Sequence, residues 1–152
     1  MDDIVTLRRI LKQNQVIAVV GLSANWWRPS YFVAKYLLDH GYRVIPVNPA
    51  YPEVLGQKCY AHLKDVPEKI DMVDCFRKAD EIPALAEEAI AIGAKCLWMQ
   101  LGVVNVEAAR RAADAGLDVV MDRCVKIEHG RLFGGLHFAG VNTRVISARR
   151  AR

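Results

Sequence analysis

The chain has 152 residues, 53% of them apolar and 25% charged, a composition that excludes intrinsic disorder, collagen-like repeats and low-complexity sequence. The length suits a single domain, able to bury roughly 70% of its unfolded surface without disulfide or metal staples. The net charge of +4 is uneven: Arg131 to Arg152 holds five arginines and no acid, while residues 1–130 carry 16 basic and 17 acidic residues.

Asp2 to Asn14 reads as a helix, with Ile4, Leu7, Ile10 and Leu11 at helical spacing and Arg8, Arg9 and Lys12 opposite. Val16-Ile17-Ala18-Val19-Val20 is a continuous apolar run ending at Gly21, the pattern of a strand buried on both faces. Pro29-Ser30 opens a second helix that Gly41 closes. Arg43 to Val47 is a second strand, stopped by Asn48-Pro49. Tyr51-Pro52 and Leu55-Gly56 mark turns, Lys58 to Tyr60 reads as a short third strand, and Val66-Pro67 begins a brief helix or loop. Asp71 to Phe76 is a fourth strand. Asp80 is expected to cap a helix running to Ile92, with Gly93 beyond its end. Lys95 to Leu101 is a fifth strand, Asn105 caps a helix from Val106 to Ala115, and Asp118 to Met121 is a sixth strand. Strands and helices alternate throughout, so the expected fold is α/β: one Rossmann-like, doubly wound, mainly parallel sheet with helices on both faces. The basic stretch from 131 to 152, loosened by Gly134-Gly135, reads as an extension of that single domain.

In such a sheet, ligands bind beyond the carboxyl ends of the strands, where strand order reverses. For an order 3-2-1-4-5-6 that point lies between the first and fourth strands. The residues just past the strand ends are therefore the candidates: Gly21-Leu22-Ser23, Asn48-Pro49, Phe76-Arg77, Gln100-Leu101-Gly102 and Asp122-Arg123-Cys124. Gly21 permits close backbone approach to a ligand. Arg28 and the helix start at Ser30 offer a guanidinium fork and exposed amides, a combination suited to phosphate; the plain alternative is a turn glycine and a solvated arginine.

The dinucleotide fingerprint G-x-G-x-x-G is absent, and the second strand ends in Asn48 rather than the acid that holds an NAD ribose. A neutral residue there favours a nucleotide with a ribose phosphate, such as coenzyme A (CoA) or NADP. Trp26-Trp27 admits two readings: an indole stacked over a ligand, or packing against the neighbouring helix or a partner. Trp98-Met99 reads as core. Cys124 reads as a buried thiol, with a thiol activated by Arg123 as the alternative.

Cys59, Cys75, Cys96 and Cys124 form no C-x-x-C pair, and His40, His62, His129 and His137 are scattered, so free thiols are expected and a metal site is not. Val16 to Leu22 is only seven residues, far from the roughly 18–20 of a membrane span. Met1-Asp2-Asp3 lacks the basic start of a secretory signal, and a cytoplasmic protein is expected. The body carries no basic stripe with interleaved aromatics, so nucleic acid is not the expected partner.

Taken together, Val19-Val20-Gly21-Leu22-Ser23, Arg28-Pro29-Ser30-Tyr31, Val44-Ile45-Pro46-Val47-Asn48-Pro49, Leu55-Gly56, Asp71-Met72-Val73-Asp74, Trp98-Met99-Gln100-Leu101-Gly102, Arg123-Cys124 and Gly140-Val141-Asn142-Thr143 are similar, in order and spacing, to one family. The chain resembles the small stand-alone CoA-binding proteins related to the CoA-binding domain of the succinyl-CoA synthetase alpha subunit. The resemblance spans roughly residues 10–147 and implies a Rossmann-like fold with CoA or an acyl-CoA in the crevice. By position, the Gly21-Leu22-Ser23 turn and Arg28 would hold its phosphates, with Ser30 also a cofactor-binding candidate, Asn48 and Pro49 would lie near the adenosine, Phe76 and Arg77 would line the crevice, and Gln100 and Gly102 its far wall. The chain departs from the family pattern in three places. Asn25, Trp26 and Trp27 stand where many relatives have a lysine and prolines, Asp122 where Asn is common, and Val125 where Pro is common.

The synthetase's phosphorylated histidine belongs to a separate domain, so its ligase chemistry does not carry over. The sequence shows no Ser-His-Asp set, no carboxylate pair with a clear role and no metal motif. The expected role is therefore non-catalytic: carrier, sensor or subunit. An NADP-dependent oxidoreductase and an interaction protein with a vestigial crevice are the alternatives.

Overall fold

Residues 4–133 are described by a computed structural model. The elements are α1 (Ile4–Gln13), β1 (Val16–Val20), α2 (Pro29–Asp39), β2 (Arg43–Val47), β3 (Glu53–Val54), β4 (Gln57–Lys58), β5 (Met72–Cys75), α3 (Ile82–Ala91), β6 (Cys96–Met99), α4 (Val106–Asp114), β7 (Asp118–Val120) and α5 (Val125–Phe133). Five strands form a parallel sheet in the order β2-β1-β5-β6-β7. The fold is the expected Rossmann-like α/β domain.

The continuous apolar strands split their residues between two cores, as the two-residue period of a strand requires. Ile17, Val19, Met72, Cys96 and Trp98 face one layer, made by α1, α2 and α5. Ala18, Val20, Val73, Cys75, Leu97 and Met99 face the other, made by α3 and α4. Trp98 is fully buried, and its indole N–H donates to the Arg123 carbonyl at 2.8 Å, which confirms it as core. Truncating such a side chain costs about 3–5 kcal/mol.

Two expectations need correction. Lys58 to Tyr60 is not a third strand of the sheet. Gln57–Lys58 pairs with Glu53–Val54 in a separate hairpin, turned by Leu55 and Gly56 at φ 53° and 73°, and Tyr60 makes a single parallel bridge to Val47. The strand is cut short because the hairpin takes its first residue. Asp80 does not cap α3: it sits inside a 3-10 turn, Ala79–Glu81, that leads into the helix without a side-chain cap. Asn105 does cap α4, accepting the Ala108 N–H at 2.9 Å.

Helix α5 is absent from the sequence reading. Its buried positions Val125, Glu128, His129 and Leu132 do follow helical spacing, but two are ionisable and Gly130 interrupts the pattern. The basic extension and Gly140 to Thr143 lie outside the described residues, apart from Arg131 to Phe133 at the end of α5. No helix among the described residues is long and apolar enough to cross a membrane.

Candidate functional site

Strand β1 is the pivot of the sheet: β2 lies on one side and β5 on the other. The crossover α2 leaves on one face and α3 on the opposite face, so the strand order reverses between β1 and β5. A cleft of about 230 Å³ opens there, lined by Gly21, Ser23, Arg28, Pro29, Ser30 and Phe76. It is smaller than the roughly 300–1,000 Å³ of a site that engulfs a whole ligand. It has room for a phosphate-sized group, with the rest of a larger ligand lying across the rim.

The loop after β1 is held from several directions. The Gly21 N–H donates to the Val47 carbonyl at 2.9 Å, extending the β1–β2 ladder by one residue. The Phe76 N–H does the same to Val20 at 2.9 Å on the other side. Gly21 stands at φ +90°, and a Cβ there would overlap the Phe76 carbonyl oxygen. The close approach that Gly21 permits includes that of the β5 chain end, and the residue also borders the cleft. The Ser23 N–H donates to the buried Ser30 hydroxyl at 3.0 Å, tying the loop to the first turn of α2. The Ser23 hydroxyl accepts the Asn25 N–H at 3.0 Å. Leu22 is fully buried and anchors the loop from below.

Arg28 precedes α2, whose amino end no side chain caps and whose first residue is Pro29. The exposed Arg28 side chain borders the cleft, and among the described residues its guanidinium makes no hydrogen bond or ion pair. A cation and a helix amino end thus meet over one small polar cleft, the arrangement that attracts an anion. Just before it, the Arg28 N–H closes a turn on the Asn25 carbonyl at 3.0 Å, with Trp26 and Trp27 at the two central positions. Their side chains are 65% and 59% exposed and meet each other edge to face at 5.8 Å. Neither indole is buried against the rest of the fold.

The remaining candidates frame the cleft rather than line it. Asn48 uses both ends of its amide: Nδ2 donates to the Leu22 carbonyl at 3.1 Å, and Oδ1 accepts the Ala50 N–H at 2.9 Å. It joins the loops after β1 and β2, with exposed Pro49 beside it. Arg77 pairs with Glu81 at 3.5 Å. Gln100 is buried, and its Oε1 accepts the Val125 N–H at 3.2 Å, at the start of α5. A proline at 125 would lack that donor, so the departure at Val125 is matched by a bond. The Gly102 N–H donates to Oδ1 of buried Asp122 at 2.7 Å. Asp122 sits at φ +62°, a conformation that Asn and Asp tolerate, and spends its carboxylate on that amide. Cys124 is partly buried, and all four cysteines are free thiols.

Sequence reasoning left out Pro29, which lines the cleft, and gave Asp74 no role. Asp74 lies between Val19 and Trp98 in the sheet, two residues before Phe76 and on the same face. It is fully buried, neither carboxylate oxygen has a hydrogen-bond partner, and burial pushes its carboxyl well above the usual range. The signal was a lone acid inside an otherwise apolar strand.

Comparison with known proteins decides the family. The model of the CoA binding domain matches residues 15–130, most of the chain. The chain belongs to this CoA-binding family. It is 42% identical over 123 residues to the uncharacterized protein YneT of Bacillus subtilis, covering 81% of this chain and 91% of YneT. It is 32% identical over 79 residues to an ADP-forming acetate–CoA ligase of Methanocaldococcus jannaschii, covering 52% of this chain but only 11% of the ligase. A solved structure from Pyrococcus horikoshii superposes with a TM-score of 0.84 at 46% identity, covering 86% of this chain and 92% of that one. The match thus covers nearly all of YneT but only a small part of the ligase.

Proposed function

We propose that this protein binds coenzyme A or an acyl-CoA across the carboxyl ends of β2, β1, β5 and β6, and acts in the cytoplasm as a non-catalytic carrier, sensor or subunit. The observation that carries the reading is Arg28: an unpaired guanidinium at an uncapped helix amino end, over the Gly21–Ser23 turn, in a chain of the CoA-binding family. The CoA diphosphate takes this cleft. The adenosine extends toward Asn48 and Pro49, where Asn48 acts by holding two loops in register. The pantetheine arm crosses Phe76 and Arg77 toward Gln100 and Gly102. These residues bind and orient, and none is assigned a bond-breaking role.

Titration calorimetry with CoA, dephospho-CoA, NAD and NADP tests the reading. CoA is expected to bind first in rank. Dephospho-CoA should be weaker by about 1–3 kcal/mol, the scale of a charge-assisted hydrogen bond, and NAD should be weakest. Tighter binding of NAD or NADP than of CoA overturns the proposal in favour of a redox cofactor site.

A further inference from the structure

Among the described residues, eight large apolar side chains are exposed, and only Val5 lies away from the carboxyl end of the sheet. Trp26, Trp27 and Phe32 follow β1; Leu101, Val104 and Val106 follow β6. Ile127, in the first turn of α5, follows β7. A scatter of single apolar residues over a surface needs no explanation, but a concentration at the end of the sheet that carries the cleft marks a binding surface.

The tryptophan turn adds a separate observation. The central positions of a tight turn ordinarily take Gly, Pro, Asn or Asp. Here they hold two largely exposed tryptophans, a residue type that does not favour the turn. The charge pattern narrows the occupant. Gly21 to Trp27 and Gln100 to Val106 contain no charged residue, and the unpaired cation of the cleft is Arg28, at its phosphate end. The small cleft also leaves most of a CoA-sized ligand on this rim.

We infer that the apolar rim carried by the Trp26-Trp27 turn and the Leu101–Val104 loop seats an uncharged hydrocarbon acyl group, so that the ligand is a fatty acyl-CoA rather than free CoA or a dicarboxylic acyl-CoA. The inference rests on the CoA reading above and deepens it. Parallel strands stand about 4.8 Å apart, so β6 lies about 10 Å across the sheet from the phosphate turn of β1. That distance is within reach of an extended pantetheine arm. The thioester end then arrives at Leu101 and Val104, where apolar contact is available and the loop from Gln100 to Val106 carries no charge of its own.

The test is calorimetry of the full chain with CoA, butyryl-CoA, octanoyl-CoA and succinyl-CoA. Affinity should rise from CoA through butyryl-CoA to octanoyl-CoA, with octanoyl-CoA tighter than CoA by about tenfold or more, since each buried methylene adds to binding. Succinyl-CoA should bind no tighter than CoA. In Trp27→Ser and Leu101→Ser the ratio of octanoyl-CoA to CoA affinity should fall to about threefold or less. Equal binding of octanoyl-CoA and CoA overturns this inference while leaving the CoA reading standing. So does a tenfold advantage that both variants retain, or a preference for succinyl-CoA. Failure to bind any of the four overturns the CoA reading itself, and this inference with it.

Discussion

On the β1–α2 side of the cleft, polar and apolar groups are left open. Arg28 has no side-chain partner, α2 has no cap, and two tryptophans face solvent. On the β6–β7 side, the corresponding chain ends bond to one another. Gln100 holds the start of α5, Asp122 holds Gly102, and Trp98 holds the Arg123 carbonyl. Satisfied buried groups fix a scaffold, whereas groups left unsatisfied at the surface are available to a ligand. The difference assigns binding of the phosphates to the first side and positioning to the buried polar groups of the second, and substitutions of Arg28 and Gln100 should separate affinity from stability.

The largest effect is expected where the two roles meet. In Gly21→Val the new side chain collides with the Phe76 carbonyl and adopts φ +90°, which a β-branched residue strongly resists. Stability should fall by about 4 kcal/mol or more, and CoA binding should be lost with it, because the collision displaces two chain ends that frame the cleft. Urea unfolding and calorimetry on the same protein check both. Lost binding at wild-type stability would mean that the glycine serves only the ligand.

Arg28→Ala should do the reverse. The exposed side chain supports no other described residue, so unfolding should change little. CoA affinity should drop by about tenfold to a hundredfold, matching the roughly 1.5–3 kcal/mol of a hydrogen bond to a charged group. An unchanged affinity would remove Arg28 from the site. Across the cleft, Gln100→Ala leaves the Val125 N–H without its buried acceptor. It should cost about 1–3 kcal/mol of stability, and CoA affinity should change by less than that of Arg28→Ala. A larger affinity loss at Gln100 than at Arg28 would invert the comparison.

The sequence carries one of these sides more legibly than the other. The parallel strands are plain because each is a short apolar run feeding two cores, and the carboxyl-end rule then points to the cleft before any motif is used. Gly21, Ser23, Arg28, Ser30 and Phe76 all line it. What sequence does not show is contact between residues distant in the chain. The Gly21–Phe76 approach spans 55 positions, and the Asn48 Nδ2 is spent on the Leu22 carbonyl, 26 positions away. Helix α5 was hidden because its buried face carries Glu128 and His129, a pattern that reads as solvated until the layer beneath it is known.

The smallest effect expected concerns Asp74, on the same sheet face as Phe76, and it is read as a slope against pH. Burial holds its carboxyl protonated at pH values where an unfolded aspartate, with a pKa of about 3.9, has ionised. Folding therefore takes up a proton. The contribution to stability is full below about pH 4 and is lost as pH rises toward the folded-state value. Asp74→Asn keeps the volume and cannot ionise, so it removes this dependence. Glu128, whose carboxyl burial also raises, is present in both proteins and cancels from their difference. Urea unfolding at pH 4, 6 and 8 should show a difference between variant and wild type that shifts in the variant's favour as pH rises. A pH-independent difference would mean that Asp74 is already charged in the folded chain, and would require a counter-charge beside it. Because Asp74 lies under the cleft floor rather than in it, CoA affinity at pH 7 should stay within about threefold of wild type, a change under about 1 kcal/mol. A larger loss would move the binding surface one pleat deeper than Phe76.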